Sequence, residues 1–337
     1  MSAMRRRPAM LIAVLAVLAV LTSALAACGS QPREANSAVI IGNRIVSVDD
    51  VQRRLENALN NEPAAKELAK SHKLDLVSRS IVTQLVRHEL ITEVAKRENL
   101  SVAEKDVDEL LAANAPPEDP VQRSVQAAFD PKEYARDRLL IQRLGAKYQD
   151  KVEITFDGAT VRSPTDAKAQ ATELATKIAA DPAKAAEIVR AAAGNDPEAQ
   201  SPVQPVLGQA LSPISAFQIA VENNALLSPV FAAQKGAVVA FPFSSGDQGG
   251  GSAWLVALIS QRDNNATLPA DQTAAASQVS PQWQEEVGNR LIGPVVTELG
   301  VRVSPRYGVW DELAVAVAPS EGEKTGVLLP AADQQRS

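Results

Sequence analysis

The chain's only cysteine, Cys28, closes the run Leu25-Ala26-Ala27-Cys28, and the residues before it point to lipidation chemistry. Arg5, Arg6 and Arg7 precede an apolar stretch from Ala9 to Leu21 that is too short and wrongly flanked for a stable transmembrane helix. Two small residues then stand before the thiol, as the cleft of a signal peptidase requires. This is the order of a bacterial lipoprotein leader. Residues 1–27 would be removed, and Cys28 would carry a diacylglyceryl thioether plus an N-acyl chain, the two lipid signals that stable anchoring needs. The expected location is the extracytoplasmic face of the cell membrane, held by lipid. The bland alternative, a lone buried cysteine in an N-terminal helix, requires the basic start, the apolar run and the small residues to coincide by chance. Without Cys28 no thiol remains, which excludes disulfide stapling and thiolate catalysis.

Other reactive side chains are sparse. The two histidines, His72 and His88, have no cysteine or further histidine at metal-ligand spacing, so no metal site is expected. His88 lies near the apolar stripe of Ile81 and Leu85 and reads as a hydrogen-bonded core residue; His72 precedes its helix and is expected to be exposed. The acidic pairs Asp49-Asp50 and Glu285-Glu286 fall at helix starts, where the macrodipole favours them without any acid–base role. Gly249-Gly250-Gly251 lacks the lysine and following helix of a phosphate loop and reads as a hairpin turn. No cofactor is implied.

Removing the first 27 of 337 residues leaves 310, more than one ordinary core, so two domains are expected. The net charge of −6 becomes −9 once Arg5 to Arg7 are lost, with 31 Lys and Arg against 40 Asp and Glu. An acidic body argues against nucleic acid and against attachment through anionic headgroups. Apolar residues make up 45% of the chain and aromatics only 4%, with much of the apolar share alanine, which favours closely packed helices over a β-sandwich.

These residues must be positioned by a mainly helical chain carrying a smaller α+β domain. Residues 28–37 are a polar tether. Ala38 to Val46 reads as two short strands around a tight turn at Gly42-Asn43, and Ser47 caps a helix that runs through Val51 and Leu55. From Leu74 to Glu98 one stripe of Leu74, Val77, Ile81 and Leu85 lies beside another of Val82, Val86, Leu90 and Val94, so two sides of this helix need cover. Ser101 to Glu104 is a capping box, and Asp130-Pro131 opens a further helix. Four helices thus precede residue 150. Lys151 to Phe156 alternates as a strand, and alanine-rich helices span 166–180 and 182–193. Residues 196–213 read as an extended loop, 214–221 as a short helix, and 238–243 and 254–259 as a strand pair. Residues 263–280 read as a linker. Trp283, Val287, Leu291 and Val295 are spaced by four on a last helix that Gly293-Pro294 must kink. The tail from 319 to 337 is expected to be disordered.

This order of elements resembles the SurA and PrsA group of extracytoplasmic foldases. Ala38 to Asp50, together with the helix containing Ser80 to Ile91, is similar to the N-terminal domain of that group, and Leu299 to Asp311 to its returning strand. The resemblance implies a helical chaperone domain of residues 38–150 plus 281–318, with residues 151–262 inserted as a parvulin-type prolyl isomerase domain. Thr160 to Lys168, Ser228 to Gly236 and Trp254 to Ile259 are similar to parvulin segments. Active parvulins carry a histidine on the first strand and another on the last; here the corresponding positions are Gly158 and Trp254, and both histidines of the chain lie outside the insert.

The barrier to rotating an X-Pro amide is about 18–20 kcal/mol, and lowering it needs preorganised polar groups beside an apolar slot. An apolar slot alone can bind. The insert therefore reads as a degenerate parvulin-like domain, with Phe241, Phe243 and Trp254 as candidate cleft residues and no catalytic residue assigned. The expected partners are unfolded or secreted protein clients, held in apolar grooves between helices. Two alternatives stay open: an active parvulin-type isomerase with a rearranged site, and a structural or solute-binding envelope lipoprotein. Four successive helices argue against the two α/β lobes of a solute binder. The oligomeric state is not readable.

Overall fold

The computed structural model describes residues 36–113, 115–194, 201–223, 226–243 and 253–330. Cys28, the leader, most of the tether and the glycine run at 249–251 lie outside these residues. The chain begins with β1 (Ser37–Ile41) and β2 (Arg44–Ser47), joined at Gly42, whose φ of +53° suits a residue without Cβ. Ser47 then starts α1 (Val48–Asn61) by a full capping box with Asp50. The order continues with α2 (Pro63–Lys70), α3 (Leu74–Glu98), α4 (Glu104–Ala113), α5 (Pro120–Ala128) and α6 (Pro131–Tyr148).

Six helices, not four, therefore precede residue 150. The two additions, α2 and α5, each begin with a carboxylate cap followed by proline, Glu62-Pro63 and Asp119-Pro120. That is the same signal as Asp130-Pro131, where Asp130 accepts from the Lys132 and Glu133 amides. The long helix α3 buries both of its stripes: Val77, Ile81, Val82, Val86 and Leu90 are all inaccessible to solvent. It ends at Asn99, which takes the left-handed conformation at φ +51°.

The α+β part comprises β3 (Glu153–Arg162), α7 (Ala167–Ala180), α8 (Ala185–Ala193), β4 (Val203–Leu211), α9 (Pro213–Asn223), β5 (Val238–Phe243) and β6 (Ala253–Asp263). A single-turn 3-10 helix (Ser228–Ala232) precedes β5. Residues 203–211, expected to be loop, form an edge strand. Its Pro205 and Gly208 are tolerated because an edge strand must donate on one side only. After β6 come α10 (Ala270–Ala275), α11 (Pro281–Leu291), α12 (Gly293–Leu299), β7 (Val301–Val303), β8 (Val309–Asp311), β9 (Ala316–Ala318) and β10 (Val327–Leu329).

Three sheets result. β7 pairs with β1 to give the order β2-β1-β7, β8 pairs with β9, and a five-stranded antiparallel sheet has the order β10-β5-β6-β3-β4. Helices cover both faces of the large sheet, so β6 is buried at seven successive positions. One face, with Phe156, Val239, Phe241 and Ile259, packs under Ile214, Phe231, Trp283 and Val287. The opposite face, with Val161, Trp254 and Val256, packs under Leu174, Ile178 and Val189. A third core is formed by α3, its helical neighbours and the returning residues Ile292, Val296, Trp310 and Val317.

Two boundary expectations are corrected. Residues 263–280 are not a free linker: they contain α10, and Leu268 and Val279 are buried against the large sheet's core. The tail is ordered through residue 330, because Val327–Leu329 adds the edge strand β10 beside β5. The expected last helix is two. Ile292 ends α11, Gly293-Pro294 restarts the chain, and the spacing of four divides between cores: Trp283 and Val287 enter the core of the large sheet, whereas Ile292 and Val296 join the helical core.

Candidate client-binding site

The three cleft candidates do not form one cleft. In the β5–β6 pairing Phe241 stands opposite Leu255, Pro242 opposite Trp254 and Phe243 opposite Ala253, so Trp254 points to the other face of the sheet from both phenylalanines. Phe241 is fully buried in the core beneath α9 and α11, and Trp254 is buried beneath α7. Phe243 is only partly buried, at the end of its strand. Both enclosed rings are core packing.

The two positions that the resemblance set against parvulin histidines, Gly158 and Trp254, are equally closed. Gly158 follows a register shift in β3, and a Cβ built there would lie 1.8 Å from the Val256 carbonyl oxygen of β6. No side chain fits at Gly158. Trp254 occupies the second position with its ring in the core. The 3-10 helix that follows α9 is held from below by Arg262, whose guanidinium donates to the carbonyls of Phe231 and Ala233 at 2.9 and 2.8 Å; burial pushes its pKa down to about 10.

A cavity of about 270 Å³ opens between the helices instead. It is lined by Gln84, Arg87 and Ile91 of α3, by Gln122 and Gln126 of α5, by Tyr134, Asp137, Arg138 and Ile141 of α6, and by Glu285 of α11. The expected groove between helices was apolar; this one is polar. Arg87 donates to Asn289 at 2.6 Å, while its buried Nε has no partner. Arg138 pairs with Glu285 at 2.8 Å, so the returning helix supplies one wall. Asp137, 5% exposed, accepts from His88 Nδ1 at 2.9 Å. That hydrogen bond, against the opposing cost of burial, holds the His88 imidazole above its ordinary pKa, with the charges of Asp137, Glu133 and Glu89 adding to it. His88 is thus a half-buried partner of a carboxylate and not a core residue of the apolar stripe. The amide side chains of Gln84, Gln122 and Gln126 can hydrogen-bond a polypeptide main chain. The lining holds no nucleophile activated by a base. Among the described residues no group of three or more His, Cys, Asp or Glu could hold a metal ion, and no helix is long and apolar enough to cross a membrane.

Sequence reasoning missed this cavity, although one signal was readable. Asp137 stands three residues after Tyr134 and four before Ile141, a charge in the middle of a buried helical stripe, which requires a buried partner.

Residues 1–149 match the family described as SurA-like N-terminal domain. The described part of that matched stretch contains β1, β2 and the six helices, and its α3, α5 and α6 supply every wall of the polar cavity except Glu285 and the α4–α5 connection. Among solved structures, the chain aligns with the 3.10 Å crystal structure of the foldase protein PrsA from Lactococcus lactis at 11% identity, covering 80% of this chain and 94% of that one. The TM-score of 0.18 is too low for that superposition to carry an argument. No curated protein matches the chain.

Proposed function

We propose that this protein is a lipid-anchored extracytoplasmic chaperone that holds unfolded or extended clients without catalysing prolyl isomerisation. The observation that carries the reading is the SurA-like N-terminal domain at residues 1–149. In this reading residues 38–150 and 281–318 are one client-holding domain, and residues 151–262 are an inserted parvulin-like domain retained for architecture. Two features support the absence of turnover. The position of the first parvulin histidine is Gly158, where the neighbouring strand leaves no room for a side chain, and the two aromatic side chains best placed for a proline slot are consumed by opposite cores. The leader ending at Cys28 supports the anchor.

The test uses one preparation of the purified chain in two assays. It should suppress aggregation of an unfolded client at near-stoichiometric amounts, and in a protease-coupled assay on a proline peptide it should accelerate cis-to-trans conversion no more than an inert protein does. Isomerase turnover would establish the enzyme alternative, and failure of both assays would favour a structural lipoprotein. The anchor is tested separately: Cys28→Ala should leave the leader uncleaved or release the protein from the membrane fraction, and a processed, membrane-retained variant would refute it.

A further inference from the structure

The charges around the polar cavity between the helices do not balance. Arg138 is matched by Glu285 at 2.8 Å, and Asp137 by His88 at 2.9 Å, a hydrogen bond that favours the imidazolium. Two carboxylates beside His88 are also engaged, Glu89 by Arg44 and Glu133 by Arg54. Arg87 is the charged lining residue with no ionic partner among the described residues. Its Nη2 donates to the neutral Asn289 side chain at 2.6 Å, its Nε is enclosed, and its Nη1 is unbonded and open to solvent. The amides of Gln84, Gln122 and Gln126 and the Tyr134 hydroxyl complete the polar lining, and none of these four side chains is hydrogen-bonded to another described residue. Ile91 and Ile141 supply an apolar part of the wall.

We infer that this cavity receives a carboxylate of a client polypeptide, bound by the Arg87 guanidinium and the surrounding glutamine amides. The inference rests on the client-holding reading and names the chemical group by which a client is recognised. Charge selects the ligand. A cationic side chain would have to draw Asp137 or Glu285 away from its present partner, and a neutral one would leave a half-buried guanidinium without a counter-charge. Donor type agrees, because guanidinium and amide N–H groups only donate and an ionised carboxylate only accepts, through as many as four lone pairs. The bond to Asn289 of α11 holds the guanidinium in place before a ligand arrives. The volume of about 270 Å³ falls just below the roughly 300–1,000 Å³ of sites that enclose whole small molecules, so the cavity takes one residue of a chain, with Ile91 and Ile141 against its aliphatic part. A glutamate or aspartate side chain and a chain end carry the same group, and the experiment separates them.

The test titrates the full chain, labelled with nitrogen-15 at its glutamine side chains, with two pairs of peptides. Acetyl-Thr-Thr-Leu-Glu-Thr-Thr-amide carries a side-chain carboxylate, and its partner has glutamine in place of glutamate. Acetyl-Thr-Thr-Thr-Thr-Leu carries a terminal carboxylate, and its partner ends in an amide. At least one acid peptide should bind about 10-fold or more tightly than its partner and shift the side-chain amides of Gln84, Gln122 and Gln126, identified by the resonance missing when each is replaced by Ala. Preference for the first acid assigns a side chain, and preference for the second assigns a chain end. Arg87→Met should weaken acid-peptide binding about 10–100-fold, as expected for a lost hydrogen bond between charged groups, and Arg87→Lys, which keeps the charge, should recover part of it. Gln122→Glu, at an exposed position on α5, adds a carboxylate to the lining and should also weaken binding, which decides the question if Arg87→Met fails to fold. Equal binding of acid and amide peptides, a folded Arg87→Met that binds like wild type, or shifts confined to other glutamines would overturn the inference. Aggregation suppression without binding of any peptide would overturn the carboxylate site and leave the chaperone reading standing. Acid-peptide binding without aggregation suppression would do the reverse.

Discussion

Substituting Gly145 of α6 by alanine sets two principles against each other, and the geometry decides between them. Helix propensity alone favours alanine over glycine by about 0.8–1.0 kcal/mol. At Gly145, however, a Cβ would lie 1.8 Å from the main-chain oxygen of Gln284 in α11, and at Gly288 of α11 a Cβ would lie 2.1 Å from the oxygen of Ile141 in α6. The two helices cross backbone to backbone through this pair of glycines. Reaching the 3.0 Å below which such contacts are essentially not seen requires the helices to part by about 1.2 Å at Gly145. The obstructing atoms are main chain, so no rotamer change relieves them. Overpacking costs about 1–3 kcal/mol, and the upper part of that range applies, leaving a net loss of about 1–2 kcal/mol after the propensity gain. At about 2.1 cal/mol/K of unfolding entropy per residue, a chain of this size shifts by about 1.5 °C per kcal/mol, so the unfolding temperature of Gly145→Ala should fall by roughly 1.5–3 °C. Gly145→Ala combined with Gly288→Ala should cost less than the two singles together, because one separation of the helices accommodates both methyl groups. Gly322→Ala, whose Cβ would meet only the Ser320 hydroxyl at 3.9 Å, serves as the control and should stay within about 0.5 kcal/mol of wild type. Differential scanning calorimetry reads all four chains. A rise in unfolding temperature for Gly145→Ala would show that propensity outweighs the contact and that the crossing is looser than described.

Replacing His88 by Asn should lower stability more at pH 6 than at pH 9. The Asp137 hydrogen bond raises the folded-state pKa above the unfolded value, so the added stability is complete below the unfolded pKa and is lost as pH rises through the folded one. A gap between variant and wild type that is constant or widens with pH would refute this. Arg290→Met should cost about 1–3 kcal/mol in urea unfolding, less than the roughly 3–5 of a fully buried pair because Glu286 keeps some water contact. It removes the guanidinium that binds Glu286 and the Leu313 carbonyl, and Glu286→Gln in the same chain should recover part of the loss. Deleting residues 320–337 should lower the unfolding temperature measurably, because β10 and the Thr325 amide bound to Asp311 at 2.5 Å are removed; an unchanged transition would mean the edge strand contributes nothing.

How much of this could be read from residues alone follows the range of the interactions. Caps are local, so the starts at Ser47 and Asp130 were legible, and Glu62-Pro63, Asp119-Pro120 and Ser280-Pro281 carried the same kind of signal unread. Both faces of α3 were legible because apolar residues recur at helical spacing on two sides. The cleft failed on parity. Whether Trp254 shares a face with Phe241 depends on strand register, which the β5 and β6 sequences do not encode and the partner strand sets. Pro205 concealed an edge strand, since proline argues against a strand only where both sides must pair. By propensity alone Gly145 and Gly288 are unfavourable in helices, whereas their missing side chains are what allow the helices to touch. Asp137 and Glu285 come from helices about 150 positions apart, and nothing local announces that they share a cavity.

The pairing of β1 with β7 also sets an order in time. The second strand edge of Val39 to Ile41 is completed by Val301 to Val303, some 260 residues later, so the first strand among the described residues is among the last to be satisfied. At about 5–20 residues per second the edge of β1 stays bare for roughly 13–50 s. During that interval β2 is its only sheet partner, and an unpaired edge recruits whatever extended chain is near. A chain that closes on itself this late must pass through synthesis with one strand edge open, and only its own returning segment seals it.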